Sequence, residues 1–190
     1  MNIYIINGAP RSGKDSFYNY VAKLISPYAN MISSVDLIKE IATKCGWDGE
    51  KTPESRKYLS DLKKLLTEWL DAPVKDMANK IRILKNEYEE CEVESKLTIF
   101  LVIREPNEIE RCKKEFGAKT ILIRREDSEM CEASNDSDAN VLDYEYDIII
   151  DNNGDLRDLA NKAIHFVLTE GLPIKAEEFV LDLFGNLSYN

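Results

Sequence analysis

Apolar residues follow two rhythms along this chain. Ile3-Tyr4-Ile5-Ile6, Leu97 to Ile103, Thr120 to Ile123 and Asp147 to Ile150 are short, nearly unbroken apolar runs, and Met31 to Ser34 is a shorter one. Runs of that length and composition predict strands of a parallel sheet covered on both faces. Between them, apolar positions recur every three or four residues, the period of a helix with one buried face. Phe17, Val21, Leu24, Ile25 and Tyr28 form one such set; Val35, Ile38 and Ile41 form a second. Tyr58, Leu59, Leu62, Leu65, Leu66 and Trp69 form a third, and Val74, Met77, Ile81, Leu84 and Tyr88 a fourth. Leu156, Leu159, Ala163, Ile164 and Val167 predict the helix after the last strand. Strand and helix alternate, which predicts an α/β fold: an open, mostly parallel sheet with helices on both faces and ligands at the carboxyl ends of the strands.

Punctuation residues set the boundaries. Gly46 is a helix stop, and Thr52-Pro53-Glu54 is a helix start in which Thr52 caps, Pro53 takes the first helical position and Glu54 complements the dipole. Asp71-Ala72-Pro73 opens the next helix with no strand between, so residues 47–92 read as an inserted helical pair. Pro106 and Asn107 start a helix, with Asn107 a candidate cap, and Gly117 ends it. Glu126 to Asp147 holds nine acidic residues and no basic one around a polar centre, the pattern of an exposed loop; the lid segment is placed at 124–146. The 190 residues suit one compact domain over 1–170, followed by a tail, 171–190, with a short helical pattern at Phe179, Leu181, Leu183 and Phe184.

Composition narrows the partners. A formal net charge of −10 leaves no basic stripe to displace counterions from a nucleic acid. Cys45, Cys91, Cys112 and Cys131 form no Cys-x-x-Cys pair and accompany one histidine, so neither a zinc site nor a disulfide framework is indicated and a reducing compartment is expected. His165 reads as a core-edge residue. No apolar run approaches bilayer length and no leader pattern is visible, so a cytoplasmic protein without membrane partners is expected. A homodimer is left open. Asp136, Asp138, Asn140 and Asp147 imitate a calcium loop, but Val141 stands where glycine is needed, which counts against calcium.

The chemistry begins after the first strand. Gly8-Ala9-Pro10-Arg11-Ser12-Gly13-Lys14 spaces two glycines and a lysine as a phosphate loop does, and a helical pattern follows at once. The glycines let successive N–H groups turn toward phosphate oxygens, the helix adds the positive end of its dipole, and Lys14 supplies a cation for β- and γ-phosphates. With the strand–helix alternation, this predicts a three-layer P-loop nucleoside triphosphatase fold that binds a nucleoside triphosphate with Mg²⁺. Asp15 occupies the position where Ser or Thr normally meets Mg²⁺; Asp15 and the next hydroxyl, Ser16, are the candidate metal contacts. No Asn-Lys-x-Asp or Leu-Ser-Gly-Gly-Gln motif occurs, which counts against a GTPase and a transporter ATPase.

Four segments resemble the deoxynucleoside monophosphate kinases of bacteriophages, within the P-loop nucleoside monophosphate kinase group. They are Arg11 to Asp15, matching Arg-Ser-Gly-Lys-Asp; Asp36 and Lys39, matching Asp-x-x-Lys; Arg104 to Glu108, matching Arg-x-Pro-Asn-Glu; and Asn152 to Gly154 after the last strand, matching Asn-x-Gly. Their order agrees over roughly Ile3 to Val167. Phosphomevalonate kinases have a similar loop. The chain departs from the phage pattern at Val102, where relatives place an aspartate, in the residues after Arg56, and in an acidic lid whose arginines are only Arg124 and Arg125.

The resemblance implies an ATP- and Mg²⁺-dependent kinase of a (deoxy)nucleoside monophosphate, with nucleotides as its partners. Gly8 to Ser16, with Asn152 and Asn153, would hold the donor. Lys14, Arg11, Arg104, Arg124 and Arg125 would carry catalysis, and Asp36, Lys39, Arg56, Arg104 and Glu108 would bind the acceptor. Each has a plainer reading. Asp36 and Lys39 also suit a local ion pair, the arginines suit solvated faces, and Trp47 and Tyr58 suit a core better than base stacking. Two other functions stay open: a kinase of a non-nucleotide phosphate, and a nucleotide-binding sensor without acceptor chemistry.

Overall fold

The computed structural model describes residues 1–90, 96–126 and 141–174. The expected tail pattern and most of the acidic lid lie outside them. Five strands and six helices are present among the described residues: β1 (Asn2–Asn7), α1 (Lys14–Ile25), β2 (Ala29–Ser33), α2 (Asp36–Lys44), α3 (Pro53–Leu70), α4 (Ala72–Glu90), β3 (Thr98–Val102), α5 (Pro106–Phe116), β4 (Lys119–Arg124), β5 (Ile148–Asp151) and α6 (Leu156–Thr169). A 3₁₀ turn, Val141–Asp143, precedes β5.

The chain divides into two compact units, Met1–Met31 with Val93–Asn190, and Ile32–Glu92. The sheet runs in the order β2-β3-β1-β4-β5. β1 pairs in parallel with β3 (Ile5 opposite Leu101) and with β4 (Ile6 opposite Ile121), and β4 pairs in parallel with β5 (Ile123 opposite Ile150). Successive side chains on a strand point to opposite faces, so the continuous apolar runs feed two cores. On one face Tyr4, Ile6, Phe100, Ile121 and Ile123 meet Phe17, Val21 and Leu24 of α1 and Leu159, Ala163, Phe166 and Val167 of α6. Tyr4 stacks on Phe100 at 5.4 Å, and Phe166 meets Phe17 edge-on at 5.5 Å. On the other face lie Ile3 and Ile5, where α5 packs on β1 and β4. The expected α/β, mostly parallel, doubly covered sheet is therefore present.

In the second unit α2, α3 and α4 pack on one another. Thr52 caps α3 by accepting from the Ser55 N–H at 3.2 Å with Pro53 in the first turn, as the sequence predicts. The apolar stripe of α3 does not form a core. No residue of α3 is buried, and Leu65 and Trp69 are 62% and 79% exposed. Tyr58, too, is exposed. Helical spacing identifies an apolar face but does not say that anything covers it. Three smaller expectations also change. Tyr28 falls outside α1, because Pro27 pushes Ser26 into extended backbone (ψ 141°) and the helix stops at Ile25. Asn107 is not a cap, since Glu105 holds that position and Pro106 begins α5. His165 is exposed on α6, its Nδ1 3.4 Å from the Thr169 hydroxyl.

Candidate active site

β1 lies between β3 and β4, so the chain leaving its carboxyl end emerges where the connections diverge to either side, the usual place for ligands in an open α/β sheet. That chain is Gly8 to Gly13. Gly8 has φ +152°, and a Cβ there would stand 2.3 Å from the Ile123 carbonyl oxygen and 2.6 Å from Ser12 Oγ. Gly13 has φ +97°, and a Cβ there would stand 2.3 Å from Asn152 Nδ2. Both positions need glycine, for the turn and for the close approach of neighbouring groups. Arg11 is also left-handed (φ +64°), and the Ser12 N–H closes the turn onto the Ala9 carbonyl at 3.1 Å. α1 starts directly after Gly13, with no side-chain cap, so its amino end is offered to a ligand.

Lys14 bends back over this loop, its Nζ donating to the carbonyls of Gly8 at 2.6 Å and Ala9 at 3.0 Å. Ser12 is buried, and its hydroxyl has no hydrogen-bond partner among the described residues. Asp15 is exposed in the first turn of α1, where the helix dipole favours a carboxylate, and Ser16 is half-buried beside it.

A cavity of about 370 Å³ opens beside the loop, lined among others by Arg11, Ser16, Arg125, Asn152, Leu156 and Leu159. Two guanidiniums and two leucines around one opening suit a flat, polar-edged ring. Leu156 and Leu159 were readable only as a helix face; their second role follows from where α6 starts. Asn152 is buried, donating from Nδ2 to the Ser12 carbonyl at 2.8 Å while its N–H donates to the Arg124 carbonyl at 2.7 Å. It braces the loop from behind. Asn153 instead exchanges hydrogen bonds with Glu126, at 3.0 Å to its N–H and 2.9 Å to its carboxylate. The adjacent arginines also diverge: Arg125 lines the cavity, whereas Arg124 pairs with Asp151 at 2.6 Å.

Arg104 follows β3, half-buried, and Glu108 is buried in the first turn of α5. Sequence reasoning passed over Asn7. It is buried at the end of β1, accepts the Gly8 N–H at 2.8 Å and donates to the Arg104 carbonyl at 3.3 Å and the Tyr146 hydroxyl at 2.8 Å. A polar residue closing an apolar strand just before a glycine was the only available signal. Asp36, Lys39 and Arg56 belong to the second unit. Asp36 accepts the Ser33 N–H at 2.8 Å, tying the end of β2 to the start of α2, and no ion pair with Lys39 forms among the described residues. Lys39 and Arg56 are exposed.

Among the described residues no group of three or more His, Cys, Asp and Glu is placed to hold a metal, and no helix is long and apolar enough to cross a membrane. Cys45 is exposed and Cys112 buried, and neither forms a disulfide among the described residues.

No protein-family model matches the chain, and no curated protein does. Solved structures that align over most of its length include these three. TT1252 from Thermus thermophilus is 18% identical, covering 89% of this chain and 97% of its own, with a TM-score of 0.48. Shikimate kinase from Aquifex aeolicus is 13% identical, covering 90% and 98%, with a TM-score of 0.41. The tunicamycin resistance protein of Deinococcus radiodurans is 15% identical, covering 93% and 99%, with a TM-score of 0.43. At such identities and TM-scores the likenesses decide neither substrate nor chemistry.

Proposed function

We propose that this chain is an ATP- and Mg²⁺-dependent phosphotransferase acting on a small phosphorylated acceptor, a (deoxy)nucleoside monophosphate before any other. One observation carries the reading: a glycine-turned loop at the sheet's switch point, uncapped helix behind it and Lys14 ammonium across it. Backbone amides and an ammonium around an open turn are built for a polyphosphate. The buried Ser12 hydroxyl, without a partner among the described residues, suits one more phosphate contact. The adjoining cavity, of about 370 Å³ with Arg11, Arg125 and Leu159 in its wall, suits the donor's base.

Mg²⁺ fits this site as a companion of the nucleotide, because it keeps waters and phosphate ligands and needs only one or two protein oxygens, here Ser16 and Asp15. Bound so, it would neutralise charge on the phosphates. The chain's own part is positioning. Lys14 releases the Gly8 and Ala9 carbonyls and meets the donor phosphates, Arg11 and Arg125 flank the nucleotide, and Arg104 faces the phosphate of the acceptor. On the same reading Asp36, Lys39, Arg56 and Glu108 bind or orient the acceptor. The motif resemblance favours a nucleoside monophosphate over other phosphorylated acceptors.

The test incubates the protein with ATP, Mg²⁺ and each nucleoside and deoxynucleoside monophosphate, with phosphomevalonate as a further arm. A diphosphate product from a nucleotide arm is expected. Lys14→Met should lower turnover by about a hundredfold or more with the melting temperature nearly unchanged. Undiminished turnover in that variant contradicts the proposal. Product only from phosphomevalonate moves the acceptor class, and tight ATP binding without any product indicates a sensor.

A further inference from the structure

The carboxamide of Asn7 makes three hydrogen bonds at a junction of three segments. Its oxygen accepts the Gly8 N–H at 2.8 Å, the first amide of the phosphate loop. Its two N–H bonds go to the Arg104 carbonyl at 3.3 Å and the Tyr146 hydroxyl at 2.8 Å. The Tyr146 hydroxyl in turn donates to the Val141 carbonyl at 2.9 Å. Donor and acceptor positions are thus fixed by every neighbour, and only an amide satisfies them all. An aspartate would set a carboxylate against the Arg104 carbonyl, and a hydrophobic residue would strand the Gly8 amide and two oxygens.

We propose that Asn7 is a positioning residue that registers the phosphate loop against Arg104, with Tyr146 as the brace that keeps the carboxamide in place. The inference rests on the kinase reading. In a transfer between two bound phosphates the donor and acceptor must meet in line, and the loop holds one while Arg104 is assigned to the other. β1 and β3 are adjacent in the sheet, yet both segments have left the ladder by Gly8 and Arg104, so strand pairing no longer fixes their separation. Asn7 restores that constraint by bonding to the backbone of each. Burial pushes the Tyr146 pKa up to about 12, against the opposing effect of the Asn7 hydrogen bond, so its hydroxyl stays protonated and donates to Val141 throughout the working range.

The experiment measures kcat and both KM values, per folded molecule, for the unaltered protein, Asn7→Ala, Tyr146→Phe and the double variant, with ATP and the accepted monophosphate. Asn7→Ala should lower kcat by roughly a hundredfold, with a far smaller change in the KM for ATP. Tyr146→Phe, which keeps the ring, should lower kcat by about tenfold, and the double variant should be no worse than Asn7→Ala, because both act through one link. Variants that match the unaltered kcat, or that multiply in the double variant, overturn the proposal. So does a loss of melting temperature with kcat per folded molecule intact, the signature of a purely structural role. If Asn7→Ala does not fold, Tyr146→Phe alone decides, since an unchanged kcat there removes the brace. An unaltered protein that turns over no acceptor defeats the kinase reading, and this inference with it; turnover that the variants share defeats this inference alone.

Discussion

Two glycines, a lysine and two asparagines make the phosphate loop what it is. Gly13 shows the constraint most sharply: its left-handed φ of +97° and the Asn152 amide, 2.3 Å from where a Cβ would lie, leave no room for a side chain. Gly13→Ala should therefore cost about 1–2 kcal/mol in backbone strain. It should also push Asn152 off the Ser12 carbonyl, a hydrogen bond worth about 1 kcal/mol. Thermal melting should register the loss, and calorimetry should show weakened ATP binding; an unchanged affinity would mean that the loop is not the nucleotide cradle. Gly8, Gly13 and Lys14 announce themselves by spacing, since their chemistry depends on near neighbours in sequence. Asn7 and Asn152 do not reveal their braces that way, because Arg104, Tyr146 and Ser12 stand 97, 139 and 140 residues away in the chain.

Edge strand β5 is held by charge where its neighbours are held by burial. Ile149 is half exposed, so β5 gains less from the core than β1 or β3. Asp147, just before it, accepts the N–H and hydroxyl of Thr120 on β4 at 2.8 and 2.9 Å and pairs with Lys113 of α5 at 2.9 Å, while its own N–H donates back to the Thr120 hydroxyl at 2.9 Å. Burial works against the charge, but the Lys113 ammonium and the two Thr120 hydrogen bonds outweigh it and hold the carboxyl below its ordinary value of 3.8. A carboxyl depressed by folding contributes stability above the unfolded value and surrenders it as pH falls through the folded one. Asp147→Asn should thus destabilise the protein at pH 7, and the difference from the unaltered protein should shrink below about pH 4 in melts taken across pH. A constant difference down to pH 2 would rule this account out. The same contacts give Asp147 a structural task at the position where a calcium loop would end. Element identity was largely legible here, because unbroken apolar runs and a period of three to four residues separate strand from helix; whether a face was covered was not, as the exposed Trp69 stripe of α3 shows.

Across the sheet, β1 and β3 are joined to the layer formed by α1 and α6 by a few large side chains. Phe166 of α6 touches Tyr4 of β1 at 5.2 Å, Phe17 of α1 at 5.5 Å and Phe100 of β3 at 6.3 Å between ring centres. Phe166→Ala should cost about 3–5 kcal/mol in denaturant unfolding, the usual penalty for emptying an aromatic site in a packed core. A loss below about 1 kcal/mol would show that the sheet and this helical layer do not depend on that contact. The sequence by itself determined the kinds of element, their order, the glycine turn and the placing of an ammonium after it, since each depends on periodicity or spacing over a few residues. Only the tertiary structure decided that β1 lies between β3 and β4, that Arg125 lines the cavity while Arg124 pairs with Asp151, and that Asn7 joins the loop to Arg104. Those outcomes depend on which distant segments become neighbours once two cores are buried, and local pattern holds no record of that.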